Sequence, residues 1–238
     1  MRSNDGAMTP PVLTAVAVRK TFDADTAPVR ALRGVDLSIE SGEFVALMGP
    51  SGSGKSTFLN VAAGLERVDD GSVVLAGHEL TVLDEDGLAR LRRRHVGVVF
   101  QTFNLLDRMT ALENVALPVL AAGASRQDAA AVAHAQLDLL GLLDRADASP
   151  AALSGGQRQR LAIARALANG PTLVLADEPT GSLDSEGEGE VLELFVKLNR
   201  RGQTILLVTH SAAVAAAAGR IVRFHDGRVV EDGGAGQP

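Results

Sequence analysis

The fold is decided by a glycine-rich stretch that reads Gly49-Pro50-Ser51-Gly52-Ser53-Gly54-Lys55-Ser56-Thr57. It fits the pattern G-x-x-x-x-G-K-[ST], in which backbone N–H groups and a helix N-terminus surround a polyphosphate. The apolar run 43–48 before it predicts a buried strand, and 57–63 after it predicts a helix that Gly64 ends. Because a strand and a helix flank the loop, we interpret it as a phosphate-binding loop and not as a chance match in a surface loop.

Two residues of the loop and two acids further along the chain predict phosphate chemistry. Lys55 can reach the β- and γ-phosphates, and the Ser56 hydroxyl can bind Mg²⁺. The apolar strand 172–179 delivers Asp177 and Glu178 at its tip. Asp177 can hold Mg²⁺, and Glu178 can polarise a water molecule aimed at the γ-phosphate. After a phosphate-binding loop, this interpretation is favoured over an acidic pair that merely starts a turn.

Two further polar residues follow predicted buried strands. Gln101 comes after the strand 96–100, and its amide oxygen can bind the metal or hold the attacking water. His210 comes after the strand 204–209 and is a candidate γ-phosphate contact. Because ligands of α/β sheets bind at the carboxyl ends of the strands, we expect both residues near the phosphate loop.

The remaining pattern alternates strands with helices, which predicts an α/β fold. Further predicted strands are 12–18, 31–40 and 72–75, and a hairpin is predicted over 220–231 with Asp226-Gly227 as its turn. Predicted helices are 84–94, 125–140 with Ser125 as N-cap, and 154–167, and Pro118 limits the helical part of 105–120.

Composition indicates a folded protein with one substantial core. The chain has 238 residues, of which 46% are hydrophobic and 22% are charged. The net charge of −6 argues against broad nucleic-acid binding, and the absence of cysteine excludes disulfides, thiolate metal sites and cysteine nucleophiles. No run is long and apolar enough to cross a membrane, and 1–11 lacks the apolar part of a signal peptide. We expect 1–11 to be a disordered lead and 232–238 to be a flexible tail.

Three features keep a structural and a functional interpretation open. From the residues alone, Phe22 is more simply a packing residue than a ring that stacks on a purine. The stretch Leu153-Ser154-Gly155-Gly156-Gln157 fits a helix capping box, in which the glycines either belong to the cap or let an anion approach bare N–H groups. The arginines at 90 and 92–94 suggest a nucleic-acid patch, but the acidic total favours a solvated helix face.

Taken in order, these motifs resemble the ATP-binding subunit of an ABC transporter over about 12–231. The resemblance identifies the Walker A loop at Gly49 to Ser56, the Q-loop at Gln101, the signature at Leu153 to Gln157, the Walker B strand at Leu173 to Asp177, the catalytic Glu178, the D-loop at Ser182-Leu183-Asp184 and the switch His210. It implies a single P-loop domain with a mainly parallel core sheet, an antiparallel β subdomain and an α-helical subdomain at about 102–165. It also places Phe22 where the family has an adenine-stacking aromatic residue, usually Tyr.

Four segments resemble one group within that family, which serves macrolide exporters, lipoprotein release and FtsE-type division complexes. The segments are Gly49 to Thr57, Phe100 to Leu106, Leu112 to Val115 and Ala176 to Gly181. Members of the group work at the cytoplasmic face of the cell membrane with permeases that have a large extracytoplasmic domain. Ser182 and Ser211 depart from the group pattern, where Asn and Asp are common, and neither change removes a catalytic function.

The resemblance implies that two copies pack head to tail around ATP and Mg²⁺ and that 101–118 contacts the permease. It assigns catalysis to Glu178, His210 and Gln101, and it assigns metal binding to Ser56, Gln101 and Asp177. The residues that it assigns to ATP binding are Phe22, Gly49, Ser51, Gly52, Ser53, Gly54, Lys55, Ser56, Thr57, Ser154, Gly155, Gly156, Gln157 and Asp184. A division-complex ATPase that signals through a membrane partner would use the same chemistry. A soluble ABC ATPase acting on DNA or ribosomes is disfavoured by the single cassette and the negative charge, and a sensor without hydrolysis is disfavoured by Glu178 and His210.

Overall fold

Strands and helices alternate along residues 10–23 and 27–234, which are the residues that the computed structural model describes. The strands are β1 (Leu13–Phe22), β2 (Val29–Ile39), β3 (Phe44–Met48), β4 (Asp70–Leu75), β5 (His78–Glu79), β6 (Val96–Val99), β7 (Leu173–Asp177), β8 (Thr204–Val208), β9 (Arg220–His225) and β10 (Arg228–Gly234). The helices are α1 (Lys55–Ala62), α2 (Glu85–His95), α3 (Ala111–Ala121), α4 (Arg126–Leu139), α5 (Gly155–Leu167), α6 (Ser185–Arg200) and α7 (Ala212–Ala216). Residues 1–9 of the expected lead and 235–238 of the expected tail lie outside the described residues.

The central sheet is built from short apolar runs and has the order β10-β9-β3-β8-β7-β6. The strands from β9 to β6 pair in parallel, and β10 pairs with β9 antiparallel at one edge. Alternate residues of β3 enter two cores, because Val45 and Leu47 pack in the core that includes Phe58 of α1, whereas Ala46 packs in the core that includes Phe195 of α6. Because the sheet is buried on both faces, its strands are continuous apolar runs in the sequence. The predicted α/β fold with a mainly parallel sheet is confirmed.

A second sheet is antiparallel and has the order β2-β1-β4-β5. In β2, Val35, Leu37 and Ile39 are buried and alternate with more exposed residues. The period of two seen in the sequence is therefore a strand with one face on the core. β1 is longer than the predicted strand 12–18 and ends at Phe22.

Helices α3, α4 and α5 pack on one another beside the central sheet. The expectation that Pro118 limits α3 is wrong, because the helix runs through Pro118 to Ala121. Proline lacks an N–H, so the helix loses one backbone hydrogen bond, but buried Val115 and Val119 hold it on the core. Among the described residues, no helix combines the length and the apolar character that crossing a membrane requires.

The chain ends in the predicted hairpin, but its last strand is longer than expected. β10 continues to Gly234, so residues 232–234 pair with β9 and do not belong to a flexible tail. Asp232 accounts for this order, since its carboxylate accepts hydrogen bonds at 2.6 Å from the Arg220 guanidinium, which also reaches Glu43.

The turn of the hairpin is a contact point between three parts of the fold. Asp226 and Gly227 have φ values of 47° and 73°, as the predicted two-residue turn requires. The Gly227 N–H donates to the Ser53 carbonyl oxygen at 2.9 Å, and the Arg33 N–H donates to the Gly227 carbonyl oxygen at 2.8 Å. The turn therefore joins the phosphate loop to β2.

Candidate nucleotide site

A cleft of about 710 Å³ opens at the carboxyl ends of the central strands. The predicted site residues that line it are Phe22, Ser51, Gly52, Ser53, Gly54, Lys55, Ser56, Thr57, Gln101, Asp177, Glu178 and His210. Ligands of open α/β sheets bind at this edge of the sheet. The fold thus gathers residues from distant parts of the sequence into one cleft.

The glycine-rich loop lies between β3 and α1 and requires glycine at two positions. A Cβ atom on Gly49 would lie 2.2 Å from the Phe224 carbonyl oxygen, and one on Gly54 would lie 2.4 Å from the Ala31 carbonyl oxygen. Gly54 also has a φ of 102°, which residues with side chains rarely adopt. α1 therefore begins at Lys55 in the lining of the cleft, and a helix N-terminus favours phosphate.

Lys55 is buried in the loop, with 5% of its surface exposed. Its Nζ donates to the carbonyl oxygens of Gly49 at 2.8 Å and Pro50 at 2.9 Å. Burial lowers the pKa of Lys55, and the carboxylates of Glu178 and Asp177 act in the opposite direction. Since both direct contacts are to neutral carbonyls, the ammonium charge stays available to an anionic ligand.

Oxygen-bearing side chains lie together beside the loop. Ser56 Oγ donates to Asp177 Oδ1 at 3.1 Å, and Gln101 lines the same cleft. Burial raises the pKa of Asp177, against the opposing effects of the Ser56 hydrogen bond and the Lys55 charge. Hydroxyl, carboxylate and amide oxygens are ligands of hard divalent cations, so this donor set fits Mg²⁺.

Glu178 has a left-handed backbone, with a φ of 46°. Its Oε1 lies 3.0 Å from His210 Nε2, and its Oε2 accepts a hydrogen bond from the His210 N–H at 3.3 Å. Burial raises the pKa of Glu178, while the proximity of His210 acts in the opposite direction. A left-handed backbone conformation costs free energy in any residue with a side chain, and such residues are concentrated at functional sites. This strain therefore supports a functional role for Glu178.

Part of the cleft comes from residues that the sequence did not assign to it. These are Pro28, Val29, Arg30, Ala31, Arg33, Asp226 and Gly227. They line the cleft together with Phe22, which is 37% exposed. Lys20 Nζ lies 5.1 Å from the centre of the Phe22 ring. The Asp226-Gly227 turn had a clear sequence signal, but that signal predicted a turn and not a place in the site.

The residues of 153–157 do not line this cleft. Ser154, Gly155, Gly156 and Asp184 line a separate cleft of about 450 Å³. Ser154 Oγ accepts a hydrogen bond from the Gln157 N–H at 3.3 Å, and Gln157 Oε1 accepts one from the Ser154 N–H at 2.9 Å. The predicted capping box is confirmed. The predicted ATP contacts of one chain are divided between two clefts, except Gly49 and Gln157, which line neither of them.

Packing within the chain does not explain the two glycines that begin α5. Among the described residues, a Cβ atom on Gly155 would meet the flexible Leu183 side chain at 3.3 Å, and one on Gly156 would meet Glu190 Oε2 at 3.9 Å. The first contact needs only a small shift of the Leu183 side chain and the second is an ordinary van der Waals distance, whereas glycine in a helix lowers its stability. The interpretation that these glycines let an anion approach the backbone therefore stays a prediction.

The glycine-rich loop, the acids at the end of the parallel strand β7 and the sheet covered on both faces define a P-loop nucleotide-binding protein. The protein-family profile described as ABC transporter matches residues 32–181. The chain belongs to the ABC transporter family, and it is an ATP-binding ABC-type ATPase.

Three relatives support this assignment. The macrolide export ATP-binding/permease protein MacB of Nitrobacter winogradskyi is 47% identical over 227 residues, covering 95% of this chain and 35% of that protein. An uncharacterized ABC transporter ATP-binding protein of Thermotoga maritima is 47% identical over 218 residues, covering 92% of this chain and 93% of the relative. A solved dimer of the ATP-binding cassette MJ0796, in a post-hydrolysis state with ADP and Pi, has a TM-score of 0.86 at 41% identity and covers 95% of this chain and 100% of that one. The chain thus spans about a third of the length of the MacB protein.

Proposed function

We propose that this chain is the ATP-hydrolysing subunit of an ABC transporter, which acts as a head-to-tail dimer and drives a membrane permease. The observation that carries the proposal is that the residues predicted to contact ATP line two separate clefts. Each copy offers Lys55 in one cleft and the amides of Gly155 and Gly156 in the other. Head-to-tail packing would place one cleft of each kind on every ATP, so that donors of both chains hold the terminal phosphate. The dimeric structures of MJ0796 support this arrangement.

The proposed hydrolysis assigns one task to each group in the first cleft. Lys55 binds the β- and γ-phosphates, and Glu178 orients a water molecule and accepts its proton as the water oxygen attacks the γ-phosphorus and the bond to the bridging oxygen breaks. His210, 3.0 Å from Glu178, holds the carboxylate and contacts the γ-phosphate. Ser56, Asp177 and Gln101 would hold Mg²⁺, which neutralises phosphate charge when it is bound. Loss of the γ-phosphate removes the bridge between the chains and loosens the dimer, and Asp184 links the two sites across the interface.

The proposed permease contact is the segment 101–118. Phe100, Asn104 and Pro118 line a groove of about 310 Å³ beside this segment. Leu106 and Leu117 are exposed, with 42% and 36% of their surfaces accessible. Exposed leucines next to a groove suit an apolar helix face of a partner. The chain would then work at the cytoplasmic face of the cell membrane, and its likeness to MacB favours export or lipoprotein release.

Recovery of the protein from its own cells tests the transporter assignment. With an affinity tag at the chromosomal locus, we expect this sequence to be recovered with an integral membrane permease, on a separate chain or on the same polypeptide. If the permease is a separate chain, Leu106→Glu is expected to abolish its recovery. If the permease is part of the same polypeptide, Leu106→Glu is expected to abolish the transport-coupled ATPase rate. Leu65→Glu, at a residue that is 49% exposed outside the segment, is the matched control.

Two outcomes of this experiment would contradict the proposal. Recovery with ribosomes or DNA and no membrane protein would assign the chain to the soluble ABC ATPases. Recovery of a membrane partner together with a cell-wall hydrolase, without transport, would assign it to a division complex.

Replacing Phe22 tests whether its ring stacks on the base. Phe22→Ala is expected to weaken the binding of Mg-ADP by about 1–3 kcal/mol, the usual contribution of an aromatic ring stacked on a base. Phe22→Tyr should keep the affinity, because it keeps the ring. Calorimetric titration measures the change, and Phe22→Leu separates stacking from simple apolar contact. Wild-type affinity in both the Ala and the Leu variants would show that Phe22 only packs.

A further inference from the structure

A tight turn follows Gln101, and two of its residues have left-handed backbones. Phe103 has a φ of 61° and Asn104 has a φ of 48°, a conformation that residues with side chains disfavour. Inside the turn, the Asn104 N–H donates to the Thr102 carbonyl oxygen at 2.6 Å, and Thr102 Oγ1 donates to Asn104 Oδ1 at 3.0 Å. These contacts shape the turn, but they do not fix its position relative to the rest of the protein.

Two arginines of α5 hold this turn from outside. Arg165 Nη2 donates to the Phe103 carbonyl oxygen at 2.9 Å, and Arg165 Nη1 donates to the Asn104 carbonyl oxygen. The Arg158 guanidinium carbon lies 5.4 Å from the centre of the Phe103 ring. Because Arg158 and Arg165 are seven residues apart, they lie on the same face of the helix. The turn is thus attached to α5, the helix whose N-cap Ser154 lines the second cleft.

The chemistry of Arg165 matches this contact. Its guanidinium is partly buried, and burial lowers the pKa of Arg165. A buried charge needs hydrogen bonds, and the two adjacent carbonyls supply them. The planar fork of arginine can reach both acceptors at once, whereas lysine offers a single point of charge.

The start of the turn reaches the first cleft. Gln101 lines that cleft, and its carbonyl oxygen accepts a hydrogen bond from Ser182 Oγ at 3.3 Å. Its side chain fits closely against Gly181, where a Cβ atom would lie 2.8 Å from Gln101 Nε2. Because Gln101 is two residues before Phe103, a displacement of the turn would move Gln101 out of this fit.

We propose that Arg165 is a positioning residue for ATP hydrolysis. By holding Phe103 and Asn104, it fixes Gln101 at the first cleft relative to the helix that carries the second cleft. The inference rests on the proposed role of Gln101 at the metal and the attacking water, and Arg165 itself touches no reacting atom.

The ATPase rate of the full chain carrying Arg165→Lys tests this inference. We expect kcat to fall about tenfold, as the loss of one charge-assisted hydrogen bond would give. The KM for ATP should stay unchanged, because the glycine-rich loop still holds the phosphates. Arg160→Lys is the matched control, since Arg160 lies on α5 beside Glu190, 4.0 Å away, and should keep the wild-type rate. Phe103→Leu, which removes the ring next to Arg158, should lower kcat in the same direction and replaces Arg165→Lys if that variant does not fold.

A double variant separates positioning from a purely structural role. Adding Arg165→Lys to Gln101→Ala is expected to leave the kcat of Gln101→Ala unchanged, because a residue that acts through Gln101 then has nothing to position. Additive losses would overturn the inference, as would a wild-type rate for Arg165→Lys. A wild-type rate for Gln101→Ala would instead refute the proposed role of Gln101 and, with it, this inference, while leaving the ATPase assignment in place.

Discussion

Replacing Glu178 with glutamine is expected to lower ATP turnover by roughly 10²- to 10⁴-fold, the usual loss when a general base is removed. Glutamine keeps the size of the side chain but cannot take a proton from water. The variant should also stay dimeric with Mg-ATP in gel filtration, because the γ-phosphate that joins the chains is not cleaved. Glu193→Gln, at an exposed residue of α6, should behave like the wild type.

The pH dependence of turnover gives a second measure of the same residue. Burial raises the pKa of Glu178 from its ordinary value of 4.5. As the pH falls through this raised pKa, the carboxyl group gains a proton and cannot accept another, so turnover should fall. The part of the acid decline that belongs to Glu178 should be missing from the residual rate of Glu178→Gln, whereas the part that belongs to Asp177, whose pKa burial also raises, should remain. Full turnover in that variant would remove Glu178 from the chemistry.

Two inactive variants mixed together are expected to recover activity. Lys55→Ala removes a phosphate contact from the first cleft, and Gly156→Asp places a negative charge in the second, so each variant alone should lose at least about 100-fold in turnover. In a head-to-tail dimer, a mixed pair has one site with a normal Lys55 and a normal Gly156. With random pairing, roughly half of the dimers are mixed and each has one intact site of two, so about a quarter of the wild-type rate should return.

The control for the mixing experiment is each variant assayed at the same total concentration without the other. Different affinity tags on the two variants show whether mixed dimers form. If mixed dimers are recovered with Mg-ATP but the activity stays at the level of the single variants, each chain must contain its whole ATP site. That result would refute the division of the site between two chains.

The parts of the site that the sequence could predict are those whose signals are local. The glycine-rich loop, the capping box at Ser154 and the acids after β7 each depend on neighbouring residues, and the structure has them as predicted. The contacts of Gly54 with Ala31 and of Gly227 with Ser53 join segments far apart in the sequence, so no local pattern indicated that β2 and the hairpin turn line the cleft. The left-handed φ of Glu178 likewise has no signature in the residues around it.

The helix α6 was missed for a different reason. Its first turns contain Gly187 and an acidic run, which are typical of a loop. The buried residues Val191, Phe195 and Leu198 have helical spacing, and Asp184 caps the helix by accepting a hydrogen bond from the Gly187 N–H at 3.0 Å. These two signals together would have predicted the helix.

The contact between the hairpin turn and the phosphate loop has a consequence for synthesis of the protein on the ribosome. Residues 49–57 are made first, but the backbone group that binds the Ser53 carbonyl belongs to Gly227, which is made much later. A nascent chain therefore has the glycine-rich loop long before it has the turn that supports it. Full support of the loop is thus coupled to synthesis of the hairpin, and a fragment that ends before Gly227 would release its loop unsupported.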